Sequence, residues 1–274
     1  MEPQAAENID YFTSEYCKKS SGSRTSNLGV LMHKFDSDQF RQFMRLLQLG
    51  DPEAVIELRA LGFGGRDRNT FSGYFNNENA FAEAAEEATK NSGGVYCTIN
   101  VLNPQLLCRS ANRAKPFAQL TTSDADILRR RYLPIDLDAI RPAGTSSSDE
   151  QHEAAIEKSR GVFKFIRKKD WPEPIEIDSG NGAHLLMPFD EPNDQNAKTL
   201  AQNILKALAE QFNDEWIKVD ESVFNPARIM RLPGTTNRKG DHLPKYPHRL
   251  CRILRVPEDL RKYADTPLAQ EEAA

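Results

Sequence analysis

Paired cysteines are absent from this chain. Its four, Cys17, Cys97, Cys108 and Cys251, lie far apart with no C-x-x-C spacing. Neither a zinc site nor a disulfide framework is therefore expected, and a reducing compartment fits best. The first 25 residues contain no apolar signal region. No later apolar run approaches the roughly 18 residues that span a bilayer. Secretion and membrane insertion are disfavoured, and a cytoplasmic protein is expected. The pattern G-x-x-x-x-G-K-[ST] is missing, which removes the P-loop route to nucleotide phosphates, and no His-x-His pair exists to hold the metal of a rolling-circle nuclease. No internal repeat is evident.

What is present is an ordinary globular mixture. Apolar residues make up 39% and charged residues 28% of 274 positions, with 14 Phe and 7 Tyr. That is enough to bury one large core or two small ones, and too apolar for disorder. The net charge of -4 hides an asymmetry: between Glu221 and Lys262 ten Lys/Arg stand against four acids, a local excess of six. Such a segment could face phosphate, or be a solvated basic face.

Periodicity predicts helices over 36–49, 78–94 and 194–212, and a capping box of Ser147 with Glu150 opens another that runs to Ile166. Residues 71–77 read as a strand or loop, 95–102 as a strand, 174–189 as a hairpin, and 216–220, 227–232 and 249–256 as further strands. The fold class expected is α+β. A loosely ordered arm (1–28) precedes an N-terminal α/β module (29–132), an RRM-like helix-backed sheet (133–262) and a tail (263–274).

Three stretches carry chemistry. "LPIDLDAIRP" places Asp136 and Asp138 at i and i+2, on one face of a strand and roughly 6–7 Å apart, with Leu137 toward the core. Two such carboxylates suit Mg²⁺ or Mn²⁺; a solvated strand end or a helix cap would look the same in sequence. "DSGNGAH" can form a turn at Ser179, Gly180, Asn181 and Gly182 whose N–H groups meet a phosphate, with His184 beside it, or an ordinary Gly-rich hairpin. "VDESVFNPARIMRLPGTTNRKG" ends a strand at Asp220 and follows it with Arg228, Arg231 and Lys239. The arginine fork matches phosphate oxygens.

Together and in this order, the three resemble the motifs of the archaeo-eukaryotic primase (AEP) superfamily, specifically the prokaryotic primase-polymerases found with mobile elements, phages and CRISPR loci. Asp136 and Asp138 match its D-x-D motif, "SGNGAH" its glycine-bearing S-x-H motif, and Asp220 its later carboxylate. The upstream "GVYCTINVLNP…TTSDADILRRRYLPIDLD" is similar to that branch as well, so the likeness spans residues 71–256. It implies a DNA primase or polymerase that joins nucleoside triphosphates on a DNA template and primer with two divalent ions, Mg²⁺ or Mn²⁺. Asp136, Asp138 and Asp220 would hold the ions, roughly 3.5–4 Å apart. Ser179, Gly180, Asn181, Gly182, His184, Arg228, Arg231 and Lys239 would bind the nucleotide, with Asn237 and Arg238 as weaker candidates. For the template surface that such families carry, the choices are Arg66, Arg68, Tyr74, Arg113 and the basic strand 245–255, although Tyr74 fits a core position equally.

Two departures stand out. The chain lacks the zinc-binding element of many relatives, and too few residues follow Val256 for their accessory helical domain. It is accordingly expected to be a catalytic core trimmed from a longer protein, one with a helicase or other partner region. The alternative function is a catalytically silent DNA-binding domain of a replication protein with the same fold. A sugar-nucleotide transferase would use D-x-D but leaves the arginine segment and "SGNGAH" unexplained.

Overall fold

The computed structural model describes residues 35–65 and 69–264; the arm expected over 1–28 and all but the first two residues of the expected tail lie outside them. Asp36 accepts the N–H of Gln39 and so starts helix α1 (Ser37–Gln48), whose apolar side chains Phe40, Phe43, Met44 and Leu47 recur at helical spacing and are all buried. Strands β1 (Ile56–Leu61) and β2 (Thr70–Phe75) follow, then helix α2 (Glu78–Asn91), capped by Asn77. The single strand expected over 95–102 is two: β3 (Gly94–Thr98) and β4 (Val101–Leu102), which belong to different sheets. Between them Asn100 is 7% exposed; its side chain donates to Pro226 O and accepts the N–H of Tyr132, which fixes the crossing.

After β5 (Arg113–Lys115) comes β6 (Ile127–Ala139), which begins six residues before the expected Leu133. Helix α3 (Asp149–Lys168) starts one residue later than the expected capping box. Ser148 is its cap, paired reciprocally with Gln151, while Ser147 donates its N–H to Asn181. The hairpin of β7 (Ile175–Asp178) and β8 (Gly182–Pro192) and helix α4 (Gln195–Phe212) fall where expected. The chain ends with β9 (Ile217–Val219), β10 (Ile229–Arg231), β11 (Thr236–Asn237), β12 (Arg249–Leu250), β13 (Arg252–Arg255) and helix α5 (Glu258–Ala264).

The fold is α+β with antiparallel sheets. One has the order β10-β3-β1-β2-β5, the other β13-β7-β8-β6-β4 with β9 added to β6, and β11 pairs with β12. The module boundary expected at 132/133 is crossed twice: β10 joins the first sheet from far downstream, and β4 joins the second from upstream. Strand β6 divides the interior by its alternation. Leu133, Ile135 and Leu137 point to a core formed with Val162 and Ile166 of α3 and Leu205 and Leu208 of α4. Tyr132, on the opposite face, joins the core of the first sheet and α1, and its hydroxyl donates to Leu46 O. Asp136 and Asp138 continue that second face beyond the part that α1 covers.

Candidate active site

The strand register assembles the carboxylates. Asp136 lies opposite His184 on β8, and Asp138 opposite Gly182. On the other side of β6, Leu137 pairs with Val219, and the Asp220 N–H donates to Asp136 O at 2.9 Å. Asp220 is thus the direct cross-strand neighbour of Asp136, and opposed residues in an antiparallel ladder share a face. Asp136, Asp138, Asp220 and His184 therefore project to one side. Gly182 is required there: a Cβ would sit 2.2 Å from Leu137 O and 2.8 Å from Asp138 Oδ1.

This cluster is electrostatically unbalanced. Burial pushes the Asp136 carboxyl well above the usual carboxylate range, and the charges of Asp138 and Asp220 push it further, against smaller opposing effects of Arg228 and Arg141. Asp136 Oδ1 is buried without a hydrogen bond, 3.4 Å from His184 Nε2. Burial also lowers the His184 imidazole to about 4, so it is neutral near pH 7 and adds no cation. The other two acids are turned to local partners: Arg141 donates to Asp138 Oδ2 at 3.2 Å, and Asp220 Oδ1 accepts the Ser222 N–H at 2.8 Å. Among the described residues no three acidic, His or Cys side chains close into a metal-binding arrangement. The donor set itself fits divalent cations, as three oxygen-bearing groups on neighbouring strands around an orphaned carboxylate oxygen are what hard ions bind.

Beside the carboxylates is a cleft of about 420 Å³ between the two sheets, lined by Tyr96, Asp136, Asp138, Arg141, Ser179, Asn181, His184, Arg231, Asn237 and Lys239. Five of its residues each hold a buried polar atom without a partner: Asp136 Oδ1, Asn181 Nδ2, His184 Nδ1, Arg231 Nη1 and Asn237 Oδ1. Groups of this kind are rare in folded proteins, and their convergence marks a place for a polar ligand. Arg231 reaches the cleft from the first sheet, its guanidinium 4.6 Å above the Tyr96 ring centroid and donating to the Tyr96 hydroxyl at 2.7 Å.

The expected backbone cradle is not what the turn offers. Ser179 N donates to Gly182 O, Gly180 N to Asp178 Oδ1 and Gly182 N to Ser179 Oγ, so these three N–H groups are consumed within the hairpin. Gly180 supplies the left-handed residue, φ 83°, that this tight turn needs. What the turn presents to the cleft is side chains, chiefly Asn181, whose Oδ1 accepts the Ser147 N–H, while Asn237 holds the turn by donating to Ser179 O.

The remaining expected residues separate. Lys239 lines the cleft and is exposed. Arg228 stands at the carboxylate end, donating to Ser222 O and Oγ, and is not among the cleft-lining residues. Arg238 caps the end of α2 through the carbonyls of Thr89, Lys90 and Ser92. Tyr74 is corrected to an interior position, 2% exposed with its hydroxyl against Arg109. Arg113 is exposed on β5; Arg66 and Arg68 lie outside the described residues. In the basic strand 245–255 the three arginines meet acids, Arg249 with Asp149, Arg252 with Asp178 and Arg255 with Glu176, while Lys245 lies over the Tyr246 ring.

Sequence reasoning missed Tyr96 and Arg141 and gave Asn237 little weight. Arg141, three residues after Asp138, had a signal in its spacing. Tyr96 had none, because only the pairing of β3 with β10 sets it beside Arg231.

No protein-family model matches the chain, and no curated protein matches it. Among solved structures it is similar to the AEP domain of the cyanophage S-2L primase-polymerase, at 17% identity and a TM-score of 0.47, over 81% of this chain and 91% of that one. It is also similar to the polymerase domain of Mycobacterium tuberculosis ligase D in complex with DNA, at 17% identity and a TM-score of 0.43, over 84% and 81%. A third similar structure is the catalytic domain of primase RepB' in complex with initiator DNA, at 12% identity and a TM-score of 0.39, over 81% and 93%.

Proposed function

We propose that the chain is a nucleotidyltransferase core of the archaeo-eukaryotic primase type, extending or initiating a strand on a DNA template from nucleoside triphosphates. One observation carries this reading: three carboxylates share a face on adjoining strands, two of them lining a cleft whose lining residues hold five unpartnered buried polar atoms. Asp136, Asp138 and Asp220 would hold Mg²⁺ or Mn²⁺. When bound, the ions would lower the pKa of a primer 3′-hydroxyl and neutralise the triphosphate.

The chain's own groups complete the site. Arg231 brings a charge fixed by the Tyr96 ring and hydroxyl, with one guanidinium nitrogen left over for a phosphate oxygen. Lys239 adds an exposed charge to the cleft lining. Asn181 Nδ2 donates, and neutral His184 can donate from Nδ1, so the triphosphate is met by four donor side chains. The bracing of the 179–181 turn by Ser147, Asn237 and Arg249 keeps that geometry ready before substrate arrives.

The test is incorporation of labelled nucleotides on a primed DNA template with Mg²⁺ or Mn²⁺. Asp138→Ala and Asp220→Ala should each abolish it while circular dichroism and melting remain those of a folded protein. Absence of incorporation by the wild-type chain, with primer, template and excess metal supplied, overturns the proposal. A second reading, a DNA-binding domain without catalysis, is favoured by the engagement of Asp138 with Arg141 and of Asp220 with Ser222. It predicts salt-dependent DNA affinity indifferent to metal and to both substitutions.

A further inference from the structure

The ion pair between Arg141 and Asp138 sets one of the three carboxylates against a positive charge that cannot move away. Arg141 Nε donates to Thr145 O and Nη1 to Ala139 O, both at 3.1 Å, and Nη2 donates to Asp138 Oδ2 at 3.2 Å. The turn that carries Thr145 is closed on itself, because Thr145 Oγ1 donates to Pro142 O at 2.8 Å and Gly144 supplies a left-handed residue, φ 80°. The turn is also packed from outside. A Cβ on Gly240 would sit 2.5 Å from Gly144 O, and Ser146 Oγ donates to Lys239 O at 2.8 Å. The guanidinium is thus fixed by its own turn, and the turn by the 239–240 segment.

The two partners differ in their dependence on each other. The Arg141 side chain is 6% exposed and the Asp138 side chain 42%, so water can replace the partner of the aspartate but not that of the arginine. A charge held out of water needs a counter-charge, and Asp138 supplies it. A divalent ion taken up by Asp138 draws on the same carboxylate and adds two positive charges beside a guanidinium that stays in place. Ion and arginine therefore compete for one anion.

A polyphosphate resolves the conflict. Arg141 lines the cleft on the side of the carboxylates, and Arg231 lines it from the other sheet. The bonds above use three of the five N–H groups of Arg141, which leaves two for phosphate oxygens. The two arginines differ in readiness. Arg231 is held by Tyr96 and keeps Nη1 without a partner, so it can meet a phosphate at any time. Arg141 is released to do so only when Asp138 turns to an ion.

We propose that Arg141 couples the two ligands of this site: it opposes a divalent ion at Asp138 until a polyphosphate supplies the anion that the guanidinium then needs, so that ion and triphosphate bind well only together. The proposal rests on the nucleotidyltransferase reading, whose ions and triphosphate are the ligands in question. Arg141 is here a positioning residue for the ion and a direct contact for the phosphates, and the coupling is reciprocal.

The experiment measures binding to the full chain without turnover: Mn²⁺ alone, from the electron paramagnetic resonance of free Mn²⁺, and inorganic tripolyphosphate in chelator, by calorimetry. Arg141→Gln should tighten Mn²⁺ by about 5- to 150-fold and shrink the extra melting shift that tripolyphosphate adds at saturating Mn²⁺. Asp138→Asn should tighten tripolyphosphate in chelator over the same range, and the double variant should lose that gain, because it acts through Arg141 and not through net charge. Lys206→Gln and Glu210→Gln, exposed on α4, should change neither affinity. Wild-type Mn²⁺ affinity in Arg141→Gln, or a tripolyphosphate gain that persists in the double variant, overturns the proposal. Should Arg141→Gln fail to fold, as judged by melting in chelator, Asp138→Asn decides: unchanged tripolyphosphate affinity overturns the proposal, and a gain absent from Glu210→Gln supports it. Nucleotide incorporation by the wild type, with none of these shifts in the variants, removes the coupling alone. The shifts without incorporation keep the coupling and remove the polymerase reading.

Discussion

Asp136→Asn is expected to make the metal-free protein more stable. The side chain keeps its shape and loses a charge that burial and two like-charged neighbours disfavour. Asp138, two residues along the strand, is about 6–7 Å away. At an effective dielectric of about 20, one such repulsion is worth about 2–3 kcal/mol. Asp220 adds to it, while Arg228 and Arg141 and partial protonation of Asp136 offset it. The net gain expected is about 1–3 kcal/mol, or roughly 2–10 °C in Tm for a chain of this size.

The gain has a definite pH dependence. Because the folded Asp136 carboxyl titrates above its unfolded value, the folded state binds more protons in the window between the two. Wild-type stability therefore falls as pH rises from the ordinary carboxylate range through the raised value, and the Asn variant escapes that loss. The difference in Tm should widen as pH rises from the ordinary carboxylate range through the raised value. Adding Mn²⁺ reverses the order: the wild type gains about 2.7 kcal/mol at a hundredfold excess over Kd, and the variant gains little. The assay is thermal melting in chelator and in Mn²⁺ across that pH range. A variant that melts below the wild type in chelator, or that keeps the full Mn²⁺ shift, refutes the account of these carboxylates as a cation site.

Other substitutions probe the neighbouring links. Leu137→Ala removes a fully buried side chain between the two aspartates and should cost about 2–5 kcal/mol in urea unfolding; a loss below about 1 kcal/mol would contradict the packing of β6 on α3 and α4. Arg231→Lys keeps the charge but gives up the fork and much of the Tyr96 stack, so KM for the triphosphate should rise about 5- to 30-fold with the melt little changed. An unchanged KM would remove Arg231 from the nucleotide site. Asp214 is lowered to about 2, first by its hydrogen bond from Lys158 and then by the N–H groups of Ile217 and Trp216. Its contribution is present above the ordinary carboxylate value and lost as pH falls toward 2, so Asp214→Asn should flatten the acid limb of the stability profile; identical limbs would sink that assignment.

Local chemistry was legible in the sequence, and pairing across long stretches of chain was not. The Asp36 cap, the apolar spacing of 37–48 and 195–212 and the turn within 175–192 each act within a few residues, so pattern and structure agree there. The alternation of Leu133, Ile135 and Leu137 likewise settled which way Asp136 and Asp138 face. The expected capping box slipped by one residue because three consecutive serines offer the same hydroxyl, and only the Asn181 contact assigns Ser147 to the turn instead. The charge excess of 221–262 was real, but three of its arginines, Arg249, Arg252 and Arg255, meet acids from α3 and β7, which no count along the chain reveals.

The largest surprise, the exchange of strands between sheets, is also what makes the cleft. Residues 95–102 looked like one strand because Val, Tyr, Cys, Ile and Leu favour extended backbone throughout; the break comes from Asn100, whose buried amide is satisfied only by β6 and by the segment ahead of β10. That crossing leaves β3 at the margin of the first sheet, where β10 can pair with it. Arg231 thereby enters the cleft from one sheet while Asp136 and His184 enter from the other. A charge fixed on one sheet and carboxylates fixed on the second leave a polar gap that neither sheet can fill alone, which is why five buried polar atoms of its lining residues lack protein partners.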